Sequence, residues 1–383
     1  MTKKYKIVVL PGDGIGKDVV PQALKALKAV EEVNKGINLE FIEYPCGGQY
    51  WLENGKKEEW PAETYEVCEK EADAILLGAI GWTRPDGTTV SYPDGTMVGL
   101  NILFGLRFGL DLYANIRPCK LYEGVPHKIS GEFRQIWDPK NVDFVIIREN
   151  TEGLYSDTHG RLKRGGKIEV ATDTRLITRV GSERVIKFAF DYCTIRNKGS
   201  PNDGKLKVTC IDKSNVTAGC KLFRSIYQEI AKHYPEIEQD YAFIDAFTQW
   251  IIRNPEWYDV CVVPNMFGDI ATDLAAVLQG SMGMAASGNV GHEKGMFEPI
   301  HGSAPKHAGK DEANPMAAIL SAHMMLDWLG NKNQDTNLKT GAGQIERAIE
   351  EILKEGKIRT YDLGGSSKTS EVGDAIATRI KSF

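Results

Sequence analysis

Cysteine is scarce: seven residues, dispersed at positions 46, 68, 119, 193, 210, 220 and 261, with no C-x-x-C pair. That excludes a disulfide scaffold and a zinc ribbon, and the thiols read as reduced in a cytoplasmic protein. No apolar stretch approaches the roughly 18 residues a membrane span requires. The N-terminal run at residues 5–10 is too short for a signal h-region and is cut by Pro11 and Gly12. No long block of one charge sign occurs. With 47 Lys and Arg against 52 Asp and Glu, net −5, neither nucleic acid nor an anionic membrane is an expected partner. An anionic ligand must therefore meet a local cluster of cations. Internal repeats and low-complexity tracts are also missing, and 42% apolar with 26% charged residues excludes disorder, collagen and coiled coil.

What is present is an alternation of strand-like apolar runs with amphipathic stretches. Strands are expected at residues 5–10, 38–43, 74–78, 144–147, 206–212 and 260–263, and a helix at 19–33, which is the rhythm of an α/β sheet. A chain of 383 residues suggests two or three domains, or two lobes sharing one crevice. Residues 82–99, rich in Gly, Pro, Asp and Thr, read as a long mobile loop on a cleft rim. Residues 155–173, around Gly165 and Gly166, suit a β-hairpin or arm.

Several constellations carry chemistry. Pro11-Gly12-Asp13-Gly14-Ile15-Gly16, between a strand and a helix, suits either backbone approach to a ligand or a plain tight turn. Its spacing departs from the G-x-G-x-x-G dinucleotide pattern. Arg107, in a helix expected at 102–112, together with Arg117 and Arg148 at the ends of apolar elements, suits a di- or tricarboxylate, or else three separate salt bridges. Asp269 and Asp273 stand at i and i+4 after a turn at 264–268, where they would hold Mg²⁺ or Mn²⁺ or act as an N-cap and a dipole partner. Asp245 is a third carboxylate at the end of an apolar run. Lys213 is a candidate general base and Tyr155 a candidate general acid, although either alone reads more simply as structural. The Gly/Pro loop at 301–310, with Asn314 and Pro315 ahead of a helix at 316–329, offers a nucleotide backbone donors, two His and a Lys, or is an ordinary surface loop.

Taken together, six motifs resemble the isocitrate and 3-isopropylmalate dehydrogenase family of β-decarboxylating 2-hydroxy-acid dehydrogenases. They are PGDGIG at 11–16, LR at 106–107 with NIRP at 115–118, RENTEGLY at 148–155, DKSN at 212–215, NMFGDIATD at 265–273, and HGSAP with AGK and ANP at 301–315. The resemblance covers nearly the whole chain. It implies a two-lobed α/β fold that is not a standard Rossmann fold. A discontinuous large domain on the cofactor side would comprise 1–112 and 280–383, and a small domain 113–279 with a dimerisation arm at about 155–175. It further implies a homodimer with shared sites, in which Arg107, Arg117 and Arg148 clamp the substrate and Asp269, Asp273 and Asp245 ligate the metal. Lys213 and Asp245 would come from the partner chain and Tyr155 would protonate the enolate left by decarboxylation.

By the same resemblance the C3 substituent is read by the helix before Arg107. Isocitrate enzymes place Ser and Asn six and four residues ahead of that arginine, where this chain has Asn101 and Leu103. Leu103 and Phe104, with Val216 after the DKSN motif, instead match the apolar lining of isopropylmalate enzymes, with Asn215 a further expected substrate contact, and an apolar wall penalises a desolvated carboxylate. An apolar C3 group is therefore favoured, with isocitrate, homoisocitrate, tartrate and malate as alternatives; a non-catalytic regulatory subunit of the same family is the rival of another class, against which the presence of Lys213, Tyr155 and the aspartates argues. The cofactor site would use Ile15, His301, Gly302, Ser303, Ala304, Pro305, Lys306, His307, Asn314 and Tyr361. Relatives that use NAD usually carry Asp where Lys306 stands. Together with Tyr361, this tilts the expectation to NADP over NAD, although Gly364 and Gly365 replace a further phosphate-binding arginine.

Overall fold

The computed structural model describes residues 3–84 and 86–383 of a mixed α/β chain with two compact units. The first unit comprises Met1–Leu112, Leu121–Ile136 and Ala276–Phe383, and the second Tyr113–Lys120 and Trp137–Ala275.

In the first unit the strand order is Ala286–Val290, Gly295–Pro299, Ala74–Ala79, Tyr5–Gly12, Leu39–Glu43, parallel except for the first pair. Tyr5–Gly12 and Ala74–Ala79 are buried almost throughout, which explains why their sequences are continuous apolar runs without alternation. The helix Gly16–Val33 inserts Val19, Val20, Ala23, Ala26, Leu27 and Val30 at three- and four-residue spacing against its neighbours. Helices Met316–Asn333, Thr336–Glu355 and Thr369–Lys381 complete the packing.

In the second unit the order is Glu238–Phe243, Lys207–Asp212, Val260–Val263, Asp143–Glu149, Ala114–Lys120, with only the last strand antiparallel. The helix Arg179–Arg196 starts at Thr178, whose hydroxyl accepts from the Gly181 amide. A separate hairpin pairs His159–Arg164 with Lys167–Asp173. It exposes Leu162, Ile168 and Val170, each about half accessible.

Four expectations need correction. Residues 121–136 pack with the first unit and not with the middle segment. His127 Nε2 lies 3.1 Å from the Leu278 carbonyl, the Arg359 guanidinium donates to the Gly124 carbonyl, and Gly280 leaves no room for a Cβ beside Val125. The boundary after the middle segment accordingly falls at 275/276. The segment 82–99 is tied down by bridges Thr83 to Thr89 and Ser91 to Met97, and buries Val90 and Val98 beside Trp51. The Arg107 helix spans Leu100–Gly109 and ends early, since Asp111 turns left-handed at φ 49°. The expected turn at 264–268 is mostly helical, because Asn265–Leu278 is one helix in which Gly268 leaves room for the Arg148 side chain.

Gly12 shows what the first glycines do. At φ +75° an added Cβ would lie 2.0 Å from the Ala79 carbonyl oxygen. Gly12→Ala should therefore lower stability by about 1–3 kcal/mol or more through backbone strain and overpacking, read as a lower urea midpoint. An unchanged midpoint would contradict this close approach.

Candidate active site

The second unit gathers most of the charged candidates around one carboxylate. Arg117 and Asn115 lie two apart on Ala114–Lys120 and share a strand face, so Asn115 Oδ1 accepts from Arg117 Nε at 2.8 Å. Arg148 is 1% exposed on the neighbouring strand Asp143–Glu149, and donates Nε and Nη2 to Asn265 Oδ1 at 3.0 and 2.7 Å. From the helix Asn265–Leu278, Asp269 Oδ1 accepts from Arg148 Nη1 and lies 3.9 Å from Arg117 Nη2, while Thr272 Oγ1 accepts from Arg117 Nη1 at 2.9 Å. Asp273 Oδ1 is 3.7 Å from Arg117 Nη1. Tyr155 donates its hydroxyl to Asp269 Oδ2 at 2.9 Å.

Electrostatics follow from this grouping. Burial, then the charge of Asp269, raises the Tyr155 pKa above the ordinary phenol value, so the hydroxyl keeps its proton at neutral pH. Asp273 is pushed up by burial and by Asp269 and pulled down by Arg117. Asp269 and Asp273 share one helix face and offer hard oxygen donors, the ligand type Mg²⁺ and Mn²⁺ take. Among the described residues no three His, Cys, Asp or Glu side chains are grouped as a metal would need, so Asp245 does not join the other two within one chain.

Asp245 instead accepts from Lys213 Nζ at 2.6 Å, and that hydrogen bond lowers the Asp245 pKa. The pair lies at adjacent strand ends, Lys213 following Lys207–Asp212 and Asp245 opening the helix Ile244–Arg253 after Glu238–Phe243. Asp245 is exposed, as are Tyr241 and Phe243 just before it in the sequence and Asn215 and Val216 just after Lys213.

The remaining candidates sit in the first unit. Arg107 Nη2 pairs with Glu298 Oε1 at 2.9 Å, both nearly buried, and Asn289 donates to the same oxygen. Leu103 and Phe104 are half-buried and Asn101 is exposed on the same helix, with Phe104 stacked on Phe108. The glycine loop does not hold its amides open for a ligand. Asp13 N–H donates to Ala79, Gly14 N–H to the Gln49 side chain, Ile15 N–H to the Ser303 carbonyl and Gly16 N–H to Asp13. Ile15 is buried, and the loop serves as a packed corner against 303.

The 301–310 segment keeps more capacity. The His301 Nε2 atom is buried with no hydrogen-bond partner among the described residues, and burial lowers the imidazole pKa so that the ring is neutral. Gly302 is open, Ser303 is buried, and Ala304 takes a left-handed φ of 38° ahead of Pro305. Lys306 is exposed. His307 stacks on Tyr361 with ring centroids 5.3 Å apart and reaches Glu312 through Nδ1. Asn314 donates to Asp362 at 3.0 Å.

Sequence reasoning missed Asn115, Asn265, Thr272, Asn289 and Glu298. Period-two spacing from Arg117 pointed to Asn115, and Asn265 and Thr272 lie inside a quoted motif. Nothing local marks Asn289 or Glu298.

Residues 6–376 match the isocitrate/isopropylmalate dehydrogenase family. The chain is 39% identical to the 3-isopropylmalate/3-methylmalate dehydrogenase of Methanocaldococcus jannaschii over 98% of its own length and 99% of that protein's. It is 38% identical to the 3-isopropylmalate dehydrogenase of Thermobifida fusca, over 99% and 98%. Among solved structures, isocitrate dehydrogenase from Methylococcus capsulatus superposes with a TM-score of 0.81 at 34% identity, covering 98% of this chain and 99% of that one. A β-decarboxylating dehydrogenase from Thermococcus kodakarensis gives 0.73 at 35%, covering 99% and 96%. These matches make the protein a dehydrogenase, an enzyme of the oxidoreductase class. The chain belongs to the isocitrate/isopropylmalate dehydrogenase family.

Asn265 offers a direct check of the charged cluster. Asn265→Ala removes the acceptor of two Arg148 donors in a buried setting, so stability should fall by about 1–3 kcal/mol in urea denaturation. A loss under about 0.5 kcal/mol, the usual range for surface changes, would mean Arg148 does not depend on it.

Proposed function

We propose that the protein oxidatively decarboxylates a 3-substituted malate, 3-isopropylmalate-like in its C3 group, with NADP favoured over NAD and with Mg²⁺ or Mn²⁺. The observation that carries this reading is the convergence of Arg117, Arg148 and Tyr155 on Asp269, with Asp273 one turn further along. It supports the reading because it groups cations of the kind that bind carboxylates, a protonated hydroxyl and two carboxylates of the kind a hard divalent ion takes. The two aspartates fit a divalent ion as donors, since each carboxylate retains lone pairs beyond its present bonds. A third ligand, Asp245 of the partner subunit, would complete the set.

In this reading Arg117 and Arg148 bind the substrate carboxylates together with Arg107, and Lys213 of the partner subunit accepts the C2 hydroxyl proton. When bound, the metal would supply Lewis-acid polarisation and the nicotinamide an acceptor for the C2 hydride. The β-carboxylate leaves as CO₂, its bonding electrons pass to the enolate, and Tyr155 returns a proton to carbon. Leu103, Phe104 and Asn101, with Asn215 and Val216 of the partner subunit, face the C3 group. Ile15, His301, Gly302, Ser303, Ala304, Pro305, Lys306, His307, Asn314 and Tyr361 border the nucleotide. A cytoplasmic homodimer with shared sites accounts for the exposed apolar residues of the hairpin, because an isolated two-stranded hairpin is marginal in water. Isocitrate is the alternative substrate, favoured by the likeness to the Methylococcus enzyme.

The test is an assay at 340 nm of purified protein with Mg²⁺ or Mn²⁺, a panel of 3-substituted malates and each nicotinamide. The highest kcat/KM is expected for an apolar C3 group with NADP, and no reduction with any member would overturn the reaction. Lys306→Asp should lower kcat/KM for NADP by at least about tenfold and keep or raise that for NAD, because a charge-assisted contact to the 2′-phosphate is replaced by repulsion. An unchanged ratio would mean Lys306 does not meet the nucleotide.

A further inference from the structure

Glu59 is a buried carboxylate, 6% exposed, that none of the family motifs quoted above includes. Its Oε1 accepts from the Tyr92 hydroxyl at 2.6 Å and from Asn101 Nδ2 at 3.1 Å. Its Oε2 is buried with no hydrogen-bond partner among the described residues. The Glu59 carbonyl accepts from Gly47 N–H at 2.8 Å, which fixes the backbone. Tyr92 stands edge-on to Trp51 with centroids 5.6 Å apart. Burial and Glu59 raise the Tyr92 hydroxyl to about 12, so it remains a donor.

An ionised carboxylate only accepts hydrogen bonds, so Asn101 must turn its NH₂ group towards Glu59. Its carbonyl oxygen is then the atom left to face a ligand. Asn101 lies on Leu100–Gly109 one turn before Phe104, on the helix assigned above to the C3 group. A fixed carbonyl dipole backed by a buried negative charge repels a third carboxylate, whereas an apolar group or a hydroxyl donor is tolerated.

We propose that Glu59 is a specificity-determining positioning residue, which locks the Asn101 amide and so selects uncharged C3 substituents against tricarboxylates such as isocitrate. The inference rests on the dehydrogenase reading above and names the discrimination within it. Glu298 holds Arg107 by the same chemistry, with Asn289 donating to the same Glu298 oxygen, but Arg107 is assigned above to the carboxylates and not to the C3 group.

The test compares kcat/KM for isocitrate and 3-isopropylmalate in the intact enzyme, Glu59→Gln, Asn101→Leu and the double variant. Gln can donate as well as accept, which frees the Asn101 amide to turn. Glu59→Gln should raise the isocitrate to isopropylmalate ratio by about tenfold or more, chiefly through a lower KM for isocitrate. In the Asn101→Leu background the same change should shift the ratio by no more than about threefold, since coupled residues are non-additive. A ratio unmoved by Glu59→Gln, or moved equally in both backgrounds, overturns the proposal. Tyr92→Phe removes a donor to the same oxygen without touching the charge, and a shift of the same size there also overturns it. If Glu59→Gln fails to fold, Asn101→Ser, which deletes the fixed carbonyl, must raise the ratio, and an unchanged ratio is decisive against it. An unmodified enzyme that reduces no nicotinamide with any 3-substituted malate removes the underlying reading instead.

Discussion

Asp269 is the point on which the second unit turns. Two guanidinium groups, Arg117 at 7% exposure and Arg148 at 1%, lie almost out of water, and an unpaired buried charge costs several kcal/mol. One carboxylate, with Asn265 and Thr272 from the same helix, meets both. That need fixes the approach of Asn265–Leu278 to the strand carrying Arg148, and Gly268 is what the approach requires. A Cβ there would stand 2.6 Å from the Arg148 Cγ. Charge satisfaction, helix placement and the presentation of Tyr155 are one constraint.

Much of this was legible from residue order. Continuous apolar runs gave the buried parallel strands, because strands covered on both faces need no alternation. Gly165-Gly166 marked the hairpin turn, and the i, i+4 spacing of Asp269 and Asp273 placed them on one helix face. Other features were illegible for physical reasons. Pro264 to Gly268 reads as a turn by composition, yet tertiary packing against Arg148 keeps most of it helical. The loop 82–99 reads as mobile, although Val90 and Val98 insert beside Trp51, a contact no local pattern announces. Arg107 donates to Glu298, 191 positions away in sequence, and Asn289 donates to the same carboxylate oxygen, so only the folded chain reveals these two residues. The glycine loop is the sharpest case. Its composition suggests a ligand cradle, whereas its amides are spent on Ala79, Gln49, Ser303 and its own Asp13.

The Lys213 to Asp245 pair stands apart from this cluster in chemical character. Its carboxylate is exposed, its neighbours Val216, Tyr241 and Phe243 are apolar and accessible, and Asp245 shares no metal-binding group with Asp269 and Asp273. A lysine and an aspartate presented together on such a surface suit completion of a second copy's site, and the exposed hairpin suits the same association. On the proposed function, one chain would hold two half-sites, one with arginines, tyrosine and two aspartates, the other with the lysine and the third aspartate.

Subunit complementation tests that claim most directly. Lys213→Ala and Asp269→Asn chains, each inactive alone, are mixed under conditions where subunit exchange is demonstrated. Activity is expected to return, because each hybrid dimer contains one site built from the unmutated half of both chains. Continued inactivity despite proven exchange would place Lys213 and Asp269 in a single chain's site and contradict the shared arrangement.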